Sequence, residues 1–167
     1  IHCLTNLSRR RVGALIVFEQ KTGLKDVIET GTTIDAQISA PLLENIFEPN
    51  TPLHDGAMIV RDGRIAAAGC VMPLSESHRI SADLGTRHRA GVGTSEVTDA
   101  VVVIVSEETG TISVAVGGML KRHLAPQTLE RLLRQELIRN DARGEHKIVT
   151  TVKGMLTGKE GKTNDKK

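Results

Sequence analysis

The amino-acid sequence predicts an α/β fold, a single domain with a central mixed, largely antiparallel β-sheet flanked by four to five helices. The chain has 167 residues and a mass of 18.0 kDa, which fits one domain with its own core. The pair Asp62-Gly63 separates two strand-like runs, 57–61 and 64–68, as in a two-residue hairpin. Residues 127–139 carry leucines at helical spacing, which indicates an amphipathic helix.

The first part of the chain supplies a helix end, a buried strand and a capped helix. Ile1, Leu4 and Leu7 recur every third residue, which indicates the end of a helix whose start is truncated. Residues 12–18 are continuously apolar, as in a strand buried on both faces. Ser39 precedes a short apolar segment, so a helix capped by Ser39 is expected there.

The second half of the chain predicts two further hairpins and another helix. Residues 100–106 pair with 111–116, and 111–116 pair with 119–124, across turns that contain glycine. A helix is expected at 86–97 between the first hairpin and the second. Residues 1–139 therefore form the folded domain. Residues 140–167, where Lys, Gly, Thr and Asp accumulate, are expected to form a charged, flexible tail.

The charge and the aromatic content exclude some partners. Residues 1–139 hold 15 Lys and Arg against 16 Asp and Glu, whereas residues 140–167 hold 7 against 4. A nearly neutral body argues against binding a duplex through a broad basic face. There is no Trp or Tyr and there are two Phe, so the aromatic platform that stacks single-stranded bases is missing. We expect no nucleic-acid partner.

The cysteines and the apolar runs indicate the cellular compartment of the chain. Cys3 and Cys70 match neither a disulfide framework nor the spacing of a zinc site, which favours a reducing compartment. No apolar run approaches the roughly 18 residues of a membrane span, and no signal peptide is visible. The chain as it stands is expected to be soluble.

A candidate catalytic loop precedes the first hairpin strand. Asp55 beside Gly56 offers a carboxylate next to exposed backbone, which suits a general base or a metal ligand. An isolated Asp-Gly pair more often only starts a strand through an Asx turn, and a lone His54 is more often a surface residue than a ligand. On these residues alone both interpretations stay open.

A candidate anion site lies at the start of the helix expected at 86–97. If Thr86 caps this helix, free N–H groups lie at the same end as Arg87, His88 and Arg89. Cations at a helix N-terminus oppose the helix dipole, so a buried polyanion such as a triphosphate is the natural reason to gather them there. The alternative is a solvated basic turn.

The paired acids Glu107 and Glu108 follow in a hairpin turn, where such a pair is usually plain solvated surface. A metal-bound nucleotide would make one of them useful, because Mg²⁺ and Mn²⁺ prefer oxygen ligands. The sequence contains no Walker A, GxGxxG or HExxH motif that would direct the chemistry elsewhere. The residues alone thus favour an α/β domain that binds an anion, with a nucleotide as the favoured ligand.

Two motifs together resemble a known family. Asp55-Gly56-Ala57 and Arg87-His88-Arg89, with 29 residues between them, resemble the paired motifs of diadenylate cyclases, bacterial enzymes that make cyclic di-AMP. Further segments resemble the family in the same order, at 13–19, 46–57, 73–76, 84–90, 95–99 and 106–110. The resemblance runs from about residue 9 to residue 139 and is closest to the membrane-anchored cyclase A type.

The resemblance implies a nucleotidyltransferase that condenses two ATP into cyclic di-AMP and releases two pyrophosphates. Each 3′-hydroxyl attacks the α-phosphate of the facing ATP in a head-to-tail homodimer, with Mn²⁺, Mg²⁺ or Co²⁺ bound. The resemblance implies that Asp55 orients or deprotonates the hydroxyl, and the other catalytic residues are Gly56, Ala57, Arg87, His88 and Arg89. The residues expected to bind ATP are Thr86, Arg87, Arg89 and Ser106, with Gly56 against the nucleotide. The residues expected near the metal are His54, Asp55 and Glu108.

The adenine pocket departs from the family pattern. The aromatic residue that follows the cysteine in close relatives is Val71 here, so base stacking at that position is lost. Adenine would then be held by apolar contact with Met72 and Ile16 and by the backbone.

The resemblance also implies partners and a location for the parent protein. That protein would be anchored in the bacterial cell membrane with this domain on the cytoplasmic side. A membrane regulator and phosphoglucosamine mutase would be its partners. Two other classes stay open on the sequence, a catalytically silent sensor of ATP or cyclic di-AMP and a purely structural dimerisation domain.

Overall fold

The structure is a computed structural model that describes residues 1–77, 80–81 and 84–139, so the predicted tail at 140–167 lies outside the described residues. The elements are α1 (His2–Arg10), β1 (Ala14–Phe18), α2 (Lys25–Ile28), β2 (Thr32–Gln37), α3 (Ala40–Ile46), β3 (Ala57–Arg61), β4 (Arg64–Cys70), α4 (Thr86–Val97), β5 (Val101–Val105), β6 (Ile112–Val116), β7 (Met119–Lys121) and α5 (Pro126–Arg139). The predicted fold class is confirmed. No helix among the described residues is long and apolar enough to cross a membrane.

Strand β1 lies at the centre of a seven-stranded sheet with the order β2-β4-β3-β1-β5-β6-β7. It runs parallel to β3 and antiparallel to β5, and the other neighbouring pairs are antiparallel. The start of β1 therefore lies at the same edge of the sheet as the start of β3, the end of β4 and the end of β5. This edge carries the candidate site.

Helices cover both faces of the sheet, which explains why all five residues of β1 are buried. Helices α1, α3 and α5 pack their leucines against one face, where Ile16 of β1 also points. Helix α4 packs against the other face, to which Leu15 and Val17 of β1 point. Neighbouring residues of one strand thus belong to different core layers.

The predicted Asp62-Gly63 turn and the predicted Ser39 cap are confirmed. Asp62 and Gly63 both have positive φ, 49° and 70°, as a type I′ hairpin turn requires. The Ser39 side chain accepts a hydrogen bond from the N–H of Leu42 and caps α3, an interaction typically worth about 1 kcal/mol. Residues 101–105 and 112–116 form the predicted second hairpin.

Three features differ from the sequence predictions. Strand β2 and helix α2 were not predicted. The strand lacks a clear sequence pattern because it is a half-exposed edge strand whose pairing with β4 is interrupted between Thr33 and Ala36. Strand β7 ends at Lys121, before the predicted residue 124. Helix α4 has Gly85 as its N-cap and starts at Thr86, so the prediction that Thr86 is the cap is wrong by one residue.

Candidate active site

The start of α4 places Arg87 between two cavities. One cavity, of about 150 Å³, is lined by Thr86, Arg87 and the turn that follows β5. The other, of about 280 Å³, is lined by Asp55, Gly56 and the chain that leaves β4, and again by Thr86 and Arg87. We call the first the phosphate cavity and the second the nucleoside cavity, after the groups that the resemblance leads us to expect there. The two sequence motifs therefore meet at the Arg87 side chain.

The Arg87 side chain is held rather than free. Its Nη1 donates a hydrogen bond of 2.6 Å to the Glu107 carboxylate, and the side chain is 19% exposed while that of Glu107 is 63% exposed. Among the described residues its Nε–H is buried without a hydrogen-bond partner. A buried donor of this kind is costly unless something accepts from it.

The other two residues of the Arg-His-Arg motif take different positions. His88 is 5% exposed and forms part of the wall of the phosphate cavity, with its Nε2 3.4 Å from the Ser113 hydroxyl on β6. Arg89 lines neither cavity, and its carbonyl accepts a hydrogen bond of 3.0 Å from the N–H of Ser75. Only Arg87 of this motif reaches both cavities.

The backbone at position 56, directly after the candidate catalytic Asp55, requires a glycine. Its φ is 112°, a conformation that favours glycine, and a Cβ there would lie 2.7 Å from the carbonyl oxygen of Cys70. The loop and the end of β4 can therefore approach closely only with glycine at this position. The exposed Asp55 carboxyl then stands at the mouth of the nucleoside cavity.

The apolar wall of the nucleoside cavity contains one of the two side chains that were predicted to contact adenine. Met72 lines it, as predicted, and Val71 is 69% exposed at its rim. Ile16 does not line it, because its side chain belongs to the core on the opposite face of the sheet. The neighbouring Leu15 takes that position. Burial raises the pKa of the Cys70 thiol to about 11, so Cys70 is a neutral part of the same wall at pH 7.

The predicted metal-side residues are separated: Asp55 lines the nucleoside cavity, Glu108 lines the phosphate cavity, and His54 lines neither. The Nδ1 of His54 lies 2.6 Å from the carbonyl oxygen of Thr51. A carbonyl only accepts hydrogen bonds, so Nδ1 carries the proton, and Nε2 of the neutral ring keeps a lone pair for a metal. His54 is next to Asp55, whereas Glu108 lines the phosphate cavity. The described residues contain no group of three such side chains around one point.

The turn after β5 completes the phosphate cavity. The Ser106 hydroxyl accepts a hydrogen bond of 3.3 Å from the N–H of Thr109, and Ser106 lines the cavity as predicted. The Ser8 hydroxyl of α1 donates to the Gly110 carbonyl over 2.6 Å and anchors the turn. Arg122, just after β7, also lines the cavity. The sequence analysis missed Arg122, since a single arginine after a strand has no local signal.

These features define an α/β domain with two adjoining cavities that share Thr86 and Arg87 in their walls. The comparisons with known proteins agree. The family described as DisA bacterial checkpoint controller nucleotide-binding matches residues 1–120. The chain is 55% identical over 134 residues to cyclic di-AMP synthase CdaA of Bacillus subtilis, and 52% identical over 132 residues to a diadenylate cyclase of Listeria monocytogenes. These alignments cover 80% and 79% of this chain, and 49% and 48% of those proteins.

A solved structure is similar over most of its length. The crystal structure of DacA from Staphylococcus aureus superposes with a TM-score of 0.80 at 55% identity, over 81% of this chain and 90% of that one. The chain belongs to the diadenylate cyclase family. It spans about half the length of the curated relatives that it matches.

Proposed function

We propose that this chain is the catalytic domain of a diadenylate cyclase, which condenses two ATP into cyclic di-AMP and releases two pyrophosphates. The observation that carries the proposal is the position of Arg87 between the nucleoside cavity, where Asp55 lies, and the phosphate cavity. An ATP bound across both cavities has its α-phosphate near their junction. Membership of the family and the 55% identity to a cyclic di-AMP synthase support it.

Phosphoryl transfer requires one group that activates the hydroxyl and others that bind the phosphates, and the site residues take these separate roles in the proposal. Asp55 orients or deprotonates the attacking 3′-hydroxyl, while the backbone of Gly56 and Ala57 lies against the nucleotide. Arg87, Thr86 and Ser106 bind the phosphates, and His88 shapes the wall behind them. Positioning and charge neutralisation account for most of the catalysis of such reactions. Arg89 acts from outside the two cavities in this proposal, which limits it to an indirect role.

The donor set at the candidate site suits a divalent cation whose coordination is completed by the substrate. His54 and Asp55 offer one imidazole nitrogen and one carboxylate, and Mg²⁺ or Mn²⁺ commonly takes one or two protein ligands together with phosphate oxygens and water. Glu108 is the third metal-side group, from the phosphate cavity. When bound, Mn²⁺, Mg²⁺ or Co²⁺ would neutralise phosphate charge and polarise the reacting oxygens.

The reaction needs two copies of the domain. One site that binds one ATP cannot present a second α-phosphate to itself, so two protomers must face each other. We therefore expect the specific activity to fall as the enzyme is diluted below the dissociation constant of the dimer. Rates measured over a dilution series, with sedimentation at the same concentrations, check this. Constant specific activity in a sample that sediments only as monomer contradicts the facing arrangement.

Product analysis separates the cyclase from its main alternative, a silent sensor of ATP or cyclic di-AMP. The chain is incubated with ATP and Mn²⁺, and the nucleotides are separated by chromatography. Cyclic di-AMP and pyrophosphate in a ratio of one to two are the expected products. ATP that binds but stays intact, with the dimer present and with Mg²⁺ and Co²⁺ also tested, would identify a sensor.

The curated relatives are about twice as long as the part that this chain matches, and the proposal extends to a parent protein of that length. The crystal structure of a hypothetical membrane-spanning protein from Bacillus cereus superposes at 47% identity with a TM-score of 0.71, over 74% of this chain and 61% of that one. On this similarity we place the parent protein in the bacterial membrane, with this domain on the cytoplasmic side. A membrane regulator and phosphoglucosamine mutase are its proposed partners.

A further inference from the structure

Gly13, the buried residue just before β1, lies directly against the ion pair between Arg87 and Glu107. A Cβ on Gly13 would be 2.7 Å from Nη1 and 2.8 Å from Cζ of Arg87, and 2.9 Å from Oε2 of Glu107. Optimal contacts of a carbon atom lie at about 3.5–4.0 Å. The three heavy atoms nearest to that Cβ thus all belong to the ion pair.

The backbone of Gly13 gives no other reason for a glycine. Gly13 is absent from the glycines with positive φ, which include Gly56 and Gly110. Alanine can therefore adopt its conformation without backbone strain. What excludes a methyl group is the space occupied by the guanidinium of Arg87 and the carboxylate of Glu107.

The atoms that a methyl group would meet are the ends of two flexible side chains. They can move at low cost to the fold, in contrast to the backbone atoms that a Cβ on Gly56 would meet. A methyl group at position 13 would therefore displace the Arg87 guanidinium more readily than it would unfold the sheet. The affected side chain belongs to Arg87, which with Thr86 lines both cavities.

We propose that Gly13 is a positioning residue, whose missing side chain fixes the Arg87 guanidinium at the junction of the phosphate and nucleoside cavities. Glu107 holds the guanidinium from the solvent side, and Gly13 provides the space in which it lies. The inference rests on the proposed function for the identity of the anion, since ATP is the ligand whose phosphates Arg87 would meet.

The test compares Gly13→Ala with Gly23→Ala, a matched control because a Cβ on Gly23 has nothing within 4 Å and its φ is not positive. ATP affinity is measured by calorimetry, alongside cyclic di-AMP formation and the melting temperature. Displacement of a binding group by about 1 Å can cost up to roughly 10²-fold. We expect Gly13→Ala to lose on the order of tenfold or more in ATP affinity with little change in melting temperature, and Gly23→Ala to match the unmodified chain.

A double-mutant cycle shows whether Gly13 acts through Arg87. In an Arg87→Ala background the two closest contacts of the methyl group are gone, and the Glu107 carboxylate, released from its ion pair, can move away. Gly13→Ala should then cause no further loss of ATP affinity. A loss that persists undiminished in that background overturns the proposal, as does unchanged affinity in Gly13→Ala itself. If Gly13→Ala fails to fold, the double variant should fold, and its failure to fold would also overturn the proposal.

The readouts separate this inference from the proposed function. If the unmodified chain binds ATP but makes no cyclic di-AMP, the cyclase assignment fails, while the affinity cycle still tests Gly13. If the unmodified chain makes cyclic di-AMP and Gly13→Ala binds ATP as tightly as Gly23→Ala does, only the positioning role fails.

Discussion

Replacing Asp55 with Asn is expected to reduce cyclic di-AMP formation by about 10²- to 10⁴-fold, the typical contribution of a general base or an orienting carboxylate. The amide has the same size but carries no negative charge and accepts no proton. Asp55 is exposed at the mouth of the nucleoside cavity, so the change leaves the core intact. ATP affinity measured without a divalent cation should be kept or improved, because a carboxylate that repels the triphosphate is removed; with the cation present, the loss of a proposed metal ligand offsets this gain.

The matched control is Asp62→Asn, in the turn between β3 and β4. Asp62 has a φ of 49°, and asparagine tolerates that left-handed conformation as well as aspartate does. Both variants lose one carboxylate from the same hairpin region, but only Asp55 lines a cavity of the candidate site. Turnover at saturating ATP and ATP affinity are measured for both. A fall in turnover of less than about threefold for Asp55→Asn would remove Asp55 from the chemical step.

Arg87→Ala is expected to weaken ATP binding by about 10- to 10²-fold. This range corresponds to the roughly 1.5–3 kcal/mol of a hydrogen bond to a charged group. Arg87 lines both cavities, and its side chain is partly exposed, at 19%. Stability should change little, since the ion pair that is lost joins Arg87 to a Glu107 that is 63% exposed.

Arg131→Ala on the exposed side of α5 is the control for the loss of one positive charge. It should leave ATP affinity unchanged, because Arg131 lines neither cavity of the candidate site. Titration of ATP into both variants, at two salt concentrations, distinguishes a specific phosphate contact from a general charge effect. Equal affinities of Arg87→Ala, Arg131→Ala and the unmodified chain would place the triphosphate elsewhere.

Some parts of the site could be predicted from local sequence alone. The loop around Asp55, the helix that starts at Thr86 and the turn at Ser106 each have a local signal in glycine, cap or charge placement. Their residue types also suggested an anion. The hairpin and helix patterns predicted the fold class and the resemblance predicted the family, and both are confirmed.

The contribution of each residue within those segments depended on packing. Arg87, His88 and Arg89 are adjacent in sequence, yet one joins two cavities, one is buried in the wall, and one lines neither cavity. Helical geometry turns each successive residue by about 100°, since a turn holds 3.6 residues. Which direction faces the site depends on how α4 lies on the sheet, and no local pattern in this helix shows that.

The sequence by itself determined the hairpins, the buried central strand and the segments of the site, because turns, caps and apolar runs act over a few residues. Only the tertiary structure decided that Leu15 and not Ile16 lines the nucleoside cavity. A strand buried on both faces has no alternation of polar and apolar residues, so its sequence does not show which side chains face which layer. The space at Gly13 was likewise decided by tertiary structure, because it exists only where β1, α4 and the turn after β5 meet.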